Sequence, residues 1–207
     1  MSDIEDELTA GYRRFRADHW PTARAEYESL ATKGQKPHTL IVACSDSRAD
    51  PALIFDAKPG ELFVVRNVAN LVPPYEPDGK LHGVSAALEF GVKVLGVKRI
   101  VVMGHAHCGG VNAMIHGAPD IVADFVGPWI AQGTPVVQHV AETVAPDQLE
   151  RAAEEAIVRL SIRNLRTFPW IAEREAKGEL QLSGLHFGIA EGALTALTDK
   201  PRFEPLA

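Results

Sequence analysis

Cysteine is nearly absent from this chain. Cys44 and Cys108 are the only two among 207 residues. A disulfide is the plain reading of one such pair, but a reducing cytoplasm disfavours it. Metal binding or catalysis is the better class. Long basic runs are absent too, and the formal net charge is −6. Nothing therefore points to nucleic acid or to an anionic membrane surface as a partner. No window approaches the roughly 18 uninterrupted apolar residues of a transmembrane helix. The opening stretch MSDIEDELTAGYRRF is acidic and amphipathic. It lacks the basic region, apolar core and small-residue cleavage site of a secretion signal, so a cytoplasmic protein is expected. Internal repeats and low-complexity segments are missing as well.

What is present is ordinary for a soluble globular protein, with 46% hydrophobic and 23% charged residues. In one compact domain, a chain this long removes roughly 70% of its unfolded surface from water. Ile4, Leu8, Tyr12 and Phe15 share one face of a helix expected over 3–18, which Trp20-Pro21 should break. A second helix is expected over 22–32, ended by Lys33-Gly34. Strands are expected at 38–43, 61–67 and 99–104, and a late one at 179–187 with a hairpin partner near 192–197. The apolar run at 61–67 reads as a strand covered on both faces. Helices are expected over 83–95, in the segment after His105, over 121–131, 135–144 and 147–167, and after Pro169. Strands alternating with helices imply right-handed crossovers and a mostly parallel sheet. Ligands gather at the carboxyl ends of such strands. Cys44, the Arg66-Asn67 pair and His105 each fall at a strand end and so converge on one edge.

The stretch ACSDSRADP (43–51) follows a strand directly. In extended backbone Cys44, Asp46 and Arg48 share one side. A thiolate, a carboxylate and a guanidinium are costly to bury together without purpose. Cys44, His105 and Cys108 supply two soft sulfurs and an imidazole, a set that suits Zn²⁺. Cys108 would sit near a helix start, where amide dipoles favour its thiolate. Gly109-Gly110 allow close backbone approach. Three protein ligands leave a fourth position, which catalytic zinc sites keep for water. Asp46 is the best fourth protein ligand, and His107 should point away if 105–108 is extended. A catalytic zinc, a structural zinc and no metal all remain open on these residues alone. Asp46 and Arg48 also admit reading as a simple turn ion pair. His82, His116, His139 and His186 read as ordinary core histidines. Met114 stands where a cysteine phosphatase loop needs arginine, which excludes that chemistry.

CSDSR at 44–48, RNVAN at 66–70 and GHAHCGG at 104–110 resemble the β-class carbonic anhydrases. The resemblance extends to GQKP (34–37), PGELFVVRNVAN (59–70) and FPWIAEREAKGELQLSGLHF (168–187). It implies an α/β fold, a mostly parallel central sheet flanked by helices, in a single domain over 1–207. Residues 1–33 would form a helical arm packing on a partner subunit, in a homodimer or a dimer of dimers. It implies one Zn²⁺ per chain on Cys44, His105 and Cys108, and reversible hydration of CO₂ to bicarbonate and a proton by hydroxide held on zinc. Asp46 and Arg48 would be the catalytic dyad, with Asp46 on zinc only in a closed state. Gln35, Phe63, Val68 and Phe90, with the Gly109 backbone, would bind substrate. His107 or His82 is a guess for the proton shuttle.

One subset of the family has an inhibitory bicarbonate site, marked by Trp and Gly where this chain has Ile41 and Ala43. The chain looks more like the plant-like subset without it, so the open state, with Asp46 on Arg48, is expected at rest. A zinc hydrolase of CS₂ or COS on the same scaffold is the nearest alternative. A non-catalytic zinc module and a redox protein with a Cys44–Cys108 disulfide are others.

Overall fold

The computed structural model describes residues 3–206. The side chain of Ile4 lies outside the described residues. The chain forms two compact units, Met1–Lys36 and Pro37–Ala207.

In the first unit, α1 (Asp3–Arg14) and α2 (Trp20–Lys33) are joined by a single π turn, Phe15–His19. The break expected at Trp20-Pro21 is thus a bend and not a gap. Pro21 has no N–H to give, and a wider turn ahead of it absorbs the missing bond. The bend is sharp. Residues 12 apart in a straight helix stand about 18 Å apart, yet the Phe15 and Tyr27 rings meet edge to face at 6.2 Å. Trp20 packs on Tyr27 at 5.3 Å. On α1, Leu8 and Tyr12 stay exposed, at 72% and 62%.

The second unit is built on six strands in the order β2-β1-β3-β4-β5-β6. They are β1 (Thr39–Cys44), β2 (Leu62–Asn67), β3 (Arg99–His105), β4 (Gln181–Gly188), β5 (Ala193–Ala196) and β6 (Glu204–Pro205). The first four in that order are parallel, and β5 and β6 add antiparallel at one edge. The expected hairpin partner is β5, while β6 was not foreseen: two residues carry no period to read. β2 is the opposite edge, and Val64 on it is 38% exposed. The expectation that both its faces are covered does not hold within this chain.

Helices follow the strands as the crossovers require. They are α3 (Pro51–Ile54), α4 (Gly83–Glu89), α5 (Gly109–His116), α6 (Val126–Ala131), α7 (Thr134–Ala141), α8 (Leu149–Leu165) and α9 (Pro169–Ala176). The 83–95 segment divides into α4 and a π turn at Phe90–Leu95. The helix expected over 121–131 shortens to α6 behind a 3₁₀ turn, Asp120–Val122. No helix among the described residues is long and apolar enough to cross a membrane.

Strand alternation sorts the core. Leu40, Val42, Ile100 and Val102 pack with Val158, Ile162 and Leu165 of α8 and with Phe168. Their neighbours Ile41, Ala43, Val101 and Met103 form a smaller cluster on the other face, with Leu185. A third cluster, including Val111, Met114, Ile130, Val137 and Ile157, encloses Cys44 and Cys108. The cysteines therefore lie where the sheet's carboxyl edge meets buried helix packing.

Candidate metal centre

Register brings the site together. Cys44 ends β1 opposite Asn67 of β2, and His105 ends β3 on the other side of β1. Cys108 is the residue before α5. One ligand atom from each of Cys44, His105 and Cys108 lies within 4.8 Å of the others, and all three residues are buried. The sulfurs stand 3.9 Å apart as free thiols.

Three observations fit this triad to a soft divalent cation. The Nδ1 of His105 donates to the Ala106 carbonyl at 2.9 Å, which leaves a lone pair on Nε2. That Nε2 is buried and has no hydrogen-bond partner among the described residues. The thiols also titrate in opposite directions. The Cys108 S–H holds the Cys44 thiol down, against burial. Its bond to Cys44, then burial, push Cys108 up, although the Val111 and Gly110 amides work the other way. A dication at the centre stabilises both thiolates together, which a single proton cannot do.

Asp46 is near but engaged elsewhere. Arg48 donates to it twice, Nε to Oδ1 at 3.0 Å and Nη2 to Oδ2 at 2.7 Å, and the Arg48 amide adds a third bond at 2.9 Å. The Arg48 guanidinium holds this carboxyl well below the usual carboxylate range. Asp46 Oδ2 comes within 3.9 Å of His105 Nε2. Arg48 Nη2 also donates to the His107 carbonyl at 3.1 Å, which ties the dyad to the ligand turn.

That turn is not extended. His107 has φ +55°, a left-handed conformation, and its exposed ring faces Glu150 at 3.2 Å. His107 therefore points away from the triad through a turn and not through strand alternation. Of the histidines expected in the core, only His186 is buried; His116 and His139 are exposed, and half-buried His82 bonds Asp78 at 2.6 Å.

Some organising residues gave weak sequence signals. Arg66 donates to the Cys44 carbonyl at 2.9 Å and to Asp50 Oδ2 at 2.7 Å, and also to the Asp46 carbonyl. It thereby ties down the loop that follows β1. Asp50 pairs with Arg66 and also caps α3 through the Ala52 amide. Asn67 clamps both backbone groups of Leu71 at 2.9 Å across the left-handed residues Ala69 and Asn70. Trp129 Nε1 donates to the Val68 carbonyl at 2.8 Å. Only the RN pair at a strand end hinted at any of this. Of the Gly109-Gly110 pair only Gly110 is closely approached: a Cβ there would meet Val68 Cγ1 at 2.8 Å and Ala69 Cβ at 2.9 Å, whereas one on Gly109 would meet nothing within 4 Å.

The expected substrate residues come from different parts of the chain. Val68 lines a cavity of about 500 Å³ with Asn67, Pro73, Leu81, Val84 and Trp129. The Phe63 and Phe90 rings meet tilted at 33°, 5.9 Å apart, with Phe90 45% exposed. Gln35 is an exposed residue of the first unit.

Comparison with known proteins gives this geometry a family. A family model described as carbonic anhydrase matches residues 39–194. The chain is 39% identical over 208 residues to a carbonic anhydrase of Pseudomonas aeruginosa, covering 98% of this chain and 90% of that one. It is 35% identical over 198 residues to beta carbonic anhydrase 3 of Arabidopsis thaliana, covering 92% of this chain and 75% of that one. Among solved structures, the β-carbonic anhydrase CcaA matches with a TM-score of 0.89 at 29% identity, over 100% of this chain and 93% of that one. A structure from work on two tetrameric β-carbonic anhydrases of Sordaria macrospora matches with a TM-score of 0.72 at 27% identity, over 94% and 93%. Sequence and fold agree over almost the whole chain, and the chain belongs to the β-class carbonic anhydrases, which are lyases.

Proposed function

We propose that this protein catalyses the reversible hydration of CO₂ to bicarbonate and a proton, with one Zn²⁺ held by Cys44, His105 and Cys108. The observation that carries this reading is the unpartnered Nε2 of His105, buried beside two free sulfurs and next to the Asp46–Arg48 pair. When bound, zinc would supply the Lewis acidity that brings ionisation of a water toward neutral pH.

The chain's own groups then have defined work. Ionised Asp46 can only accept a hydrogen bond. Held by Arg48, it selects an oxygen that still carries a proton and turns that oxygen's free lone pair toward the substrate. Val68, Phe63 and Phe90 present apolar surface suited to an uncharged linear molecule. The Gln35 amide and the Gly109 backbone N–H would donate to oxygens of CO₂ or bicarbonate. Two thiolates give more charge to the centre than two imidazoles would, so activity should rise with pH above neutrality.

The same reading takes 1–207 as one enzyme domain with residues 1–33 as a helical arm on a partner subunit. Exposed Leu8 and Tyr12, and the tetrameric relatives from Sordaria macrospora, support a homodimer or dimer of dimers. Ile41 and Ala43 in β1, with Asp46 on Arg48, favour the plant-like subset without the inhibitory bicarbonate site. Two buried, unbridged thiols fit a cytoplasmic location.

Stopped-flow CO₂ hydration on zinc-loaded protein tests the proposal, at pH near 7 and near 8.5. Fast hydration at both values is expected. No hydration at either, with zinc bound stoichiometrically, would overturn it.

A further inference from the structure

Behind the triad lies a second pair of buried polar side chains that the proposed chemistry does not use. Glu154 of α8 is 3% exposed and His186 of β4 is 0% exposed. The Glu154 carboxyl is shared between two partners. Its Oε2 bonds His186 Nε2 at 2.7 Å, and its Oε1 accepts from the Cys108 amide at 3.2 Å. Nδ1 of the same His186 ring is buried with no partner among the described residues.

Such a pair is a poor way to stabilise a core. Desolvating a carboxyl and an imidazole costs much of what their bond returns, and apolar residues of equal volume often serve better. The fold nevertheless brings the pair deep. His186 lies on β4 opposite Gly104 of β3, the residue before His105. A Cβ on Gly104 would meet Val158 Cγ2 at 2.8 Å, and one on Gly184 would meet Val158 Cγ1 at 2.8 Å. The bare strands let α8 settle close against the sheet. One turn before Val158 on that helix, Glu154 reaches the start of α5.

The segment it reaches needs restraint. His107 adopts φ +55° without being glycine, a conformation that persists only where its surroundings impose it. The turn is held from several sides. Arg48 bonds the His107 carbonyl, Glu150 faces the His107 ring, and Glu154 takes the Cys108 amide. Of these three, only Glu154 bonds a metal-ligand residue directly. Groups that orient metal ligands from behind commonly govern affinity.

We infer that Glu154, oriented by His186, is a positioning residue for the metal centre: it holds the Cys108 amide so that the sulfur stays aimed at Cys44 and His105. This rests on the reading of the triad as a zinc site. His186 acts one step further back, fixing the carboxyl against rotation.

Zinc affinity of the full chain, measured against a chromophoric chelator, tests the inference, together with the absorption spectrum of the Co²⁺-substituted protein. Glu154→Ala should weaken zinc by about 10- to 100-fold and alter the thiolate-to-cobalt band. Glu154→Gln can still accept from the Cys108 amide and donate to His186, and should restore affinity to within about 3-fold of wild type. His186→Phe should give an intermediate loss. Val158→Ala, which trims the same helix beside the pair, should lower thermal stability with wild-type affinity and spectrum. Wild-type affinity in Glu154→Ala, or equal losses in Glu154→Ala and Val158→Ala, would overturn the positioning role. If Glu154→Ala does not fold, wild-type affinity and spectrum in His186→Phe overturn it instead. A wild-type chain that binds no zinc would overturn the metal reading itself, and this inference with it.

Discussion

Arg48 grips Asp46 through both carboxylate oxygens, Nη2 to Oδ2 at 2.7 Å and Nε to Oδ1 at 3.0 Å, while Nη2 also reaches the His107 carbonyl at 3.1 Å. One guanidinium therefore joins the loop after β1 to the turn that carries two of the three candidate ligands. The same contact favours the ionised form of Asp46.

Replacing Asp46 with Ala should leave zinc binding intact and lower CO₂ hydration by about 100-fold or more, the lower range for a positioned acid–base group. Zinc content by metal analysis and stopped-flow hydration on the same preparation check this together. Full activity would remove Asp46 from the mechanism.

Cys108→Ser should lose stoichiometric zinc. A serine hydroxyl stays protonated near neutral pH and is a hard donor, unlike the thiolate that zinc prefers. Equilibrium dialysis against buffered zinc gives the answer, and a variant that retains one zinc per chain would disprove ligation by Cys108.

The Asp46–Arg48 pair also makes an acid-stability prediction. The carboxyl lies below its ordinary value in the folded chain because Arg48 donates to it. The stability it contributes is thus fully present above the unfolded-state value, near 3.9, and is lost as pH falls through the folded value. Arg48→Met should raise the folded value and move the acid-unfolding midpoint to higher pH. Between pH 6 and 9 Asp46 stays charged, so it contributes no slope there. Circular dichroism across an acid titration follows both.

Adjacent glycines should respond differently. Gly110→Ala places a methyl 2.8 Å from Val68 Cγ1 and 2.9 Å from Ala69 Cβ, and should destabilise by about 1–3 kcal/mol. Gly109→Ala meets no atom within 4 Å and should stay within about 0.5 kcal/mol of wild type. Urea denaturation of the two variants separates them.

The sequence by itself determined the four parallel strands and the triad. β1 and β3 are continuous apolar runs that end on Cys44 and His105, and helices between parallel strands force those ends onto one edge. Cys108 follows His105 by three residues, so the ligands met wherever the strands paired in register. Period and strand-end chemistry are local properties, and they survive reading one residue at a time.

Tertiary structure alone decided the rest. Pro21 signalled a break, but packing among Phe15, Trp20 and Tyr27 goes with a bend that stays helical. The run at 61–67 looked doubly covered, but its place at the sheet edge leaves Val64 open. Arg66, Glu154 and His186 were an arginine at a strand end, an acid in a helix and a histidine in a strand. Their partners lie 16 to 46 residues away in sequence. Hydrogen bonds over such separations have no period and no spacing rule. Those of Glu154 and His186 exist because α8 lies close on two glycine-bearing strands, and those of Arg66 because β2 pairs with β1; both closenesses are properties of the packed fold.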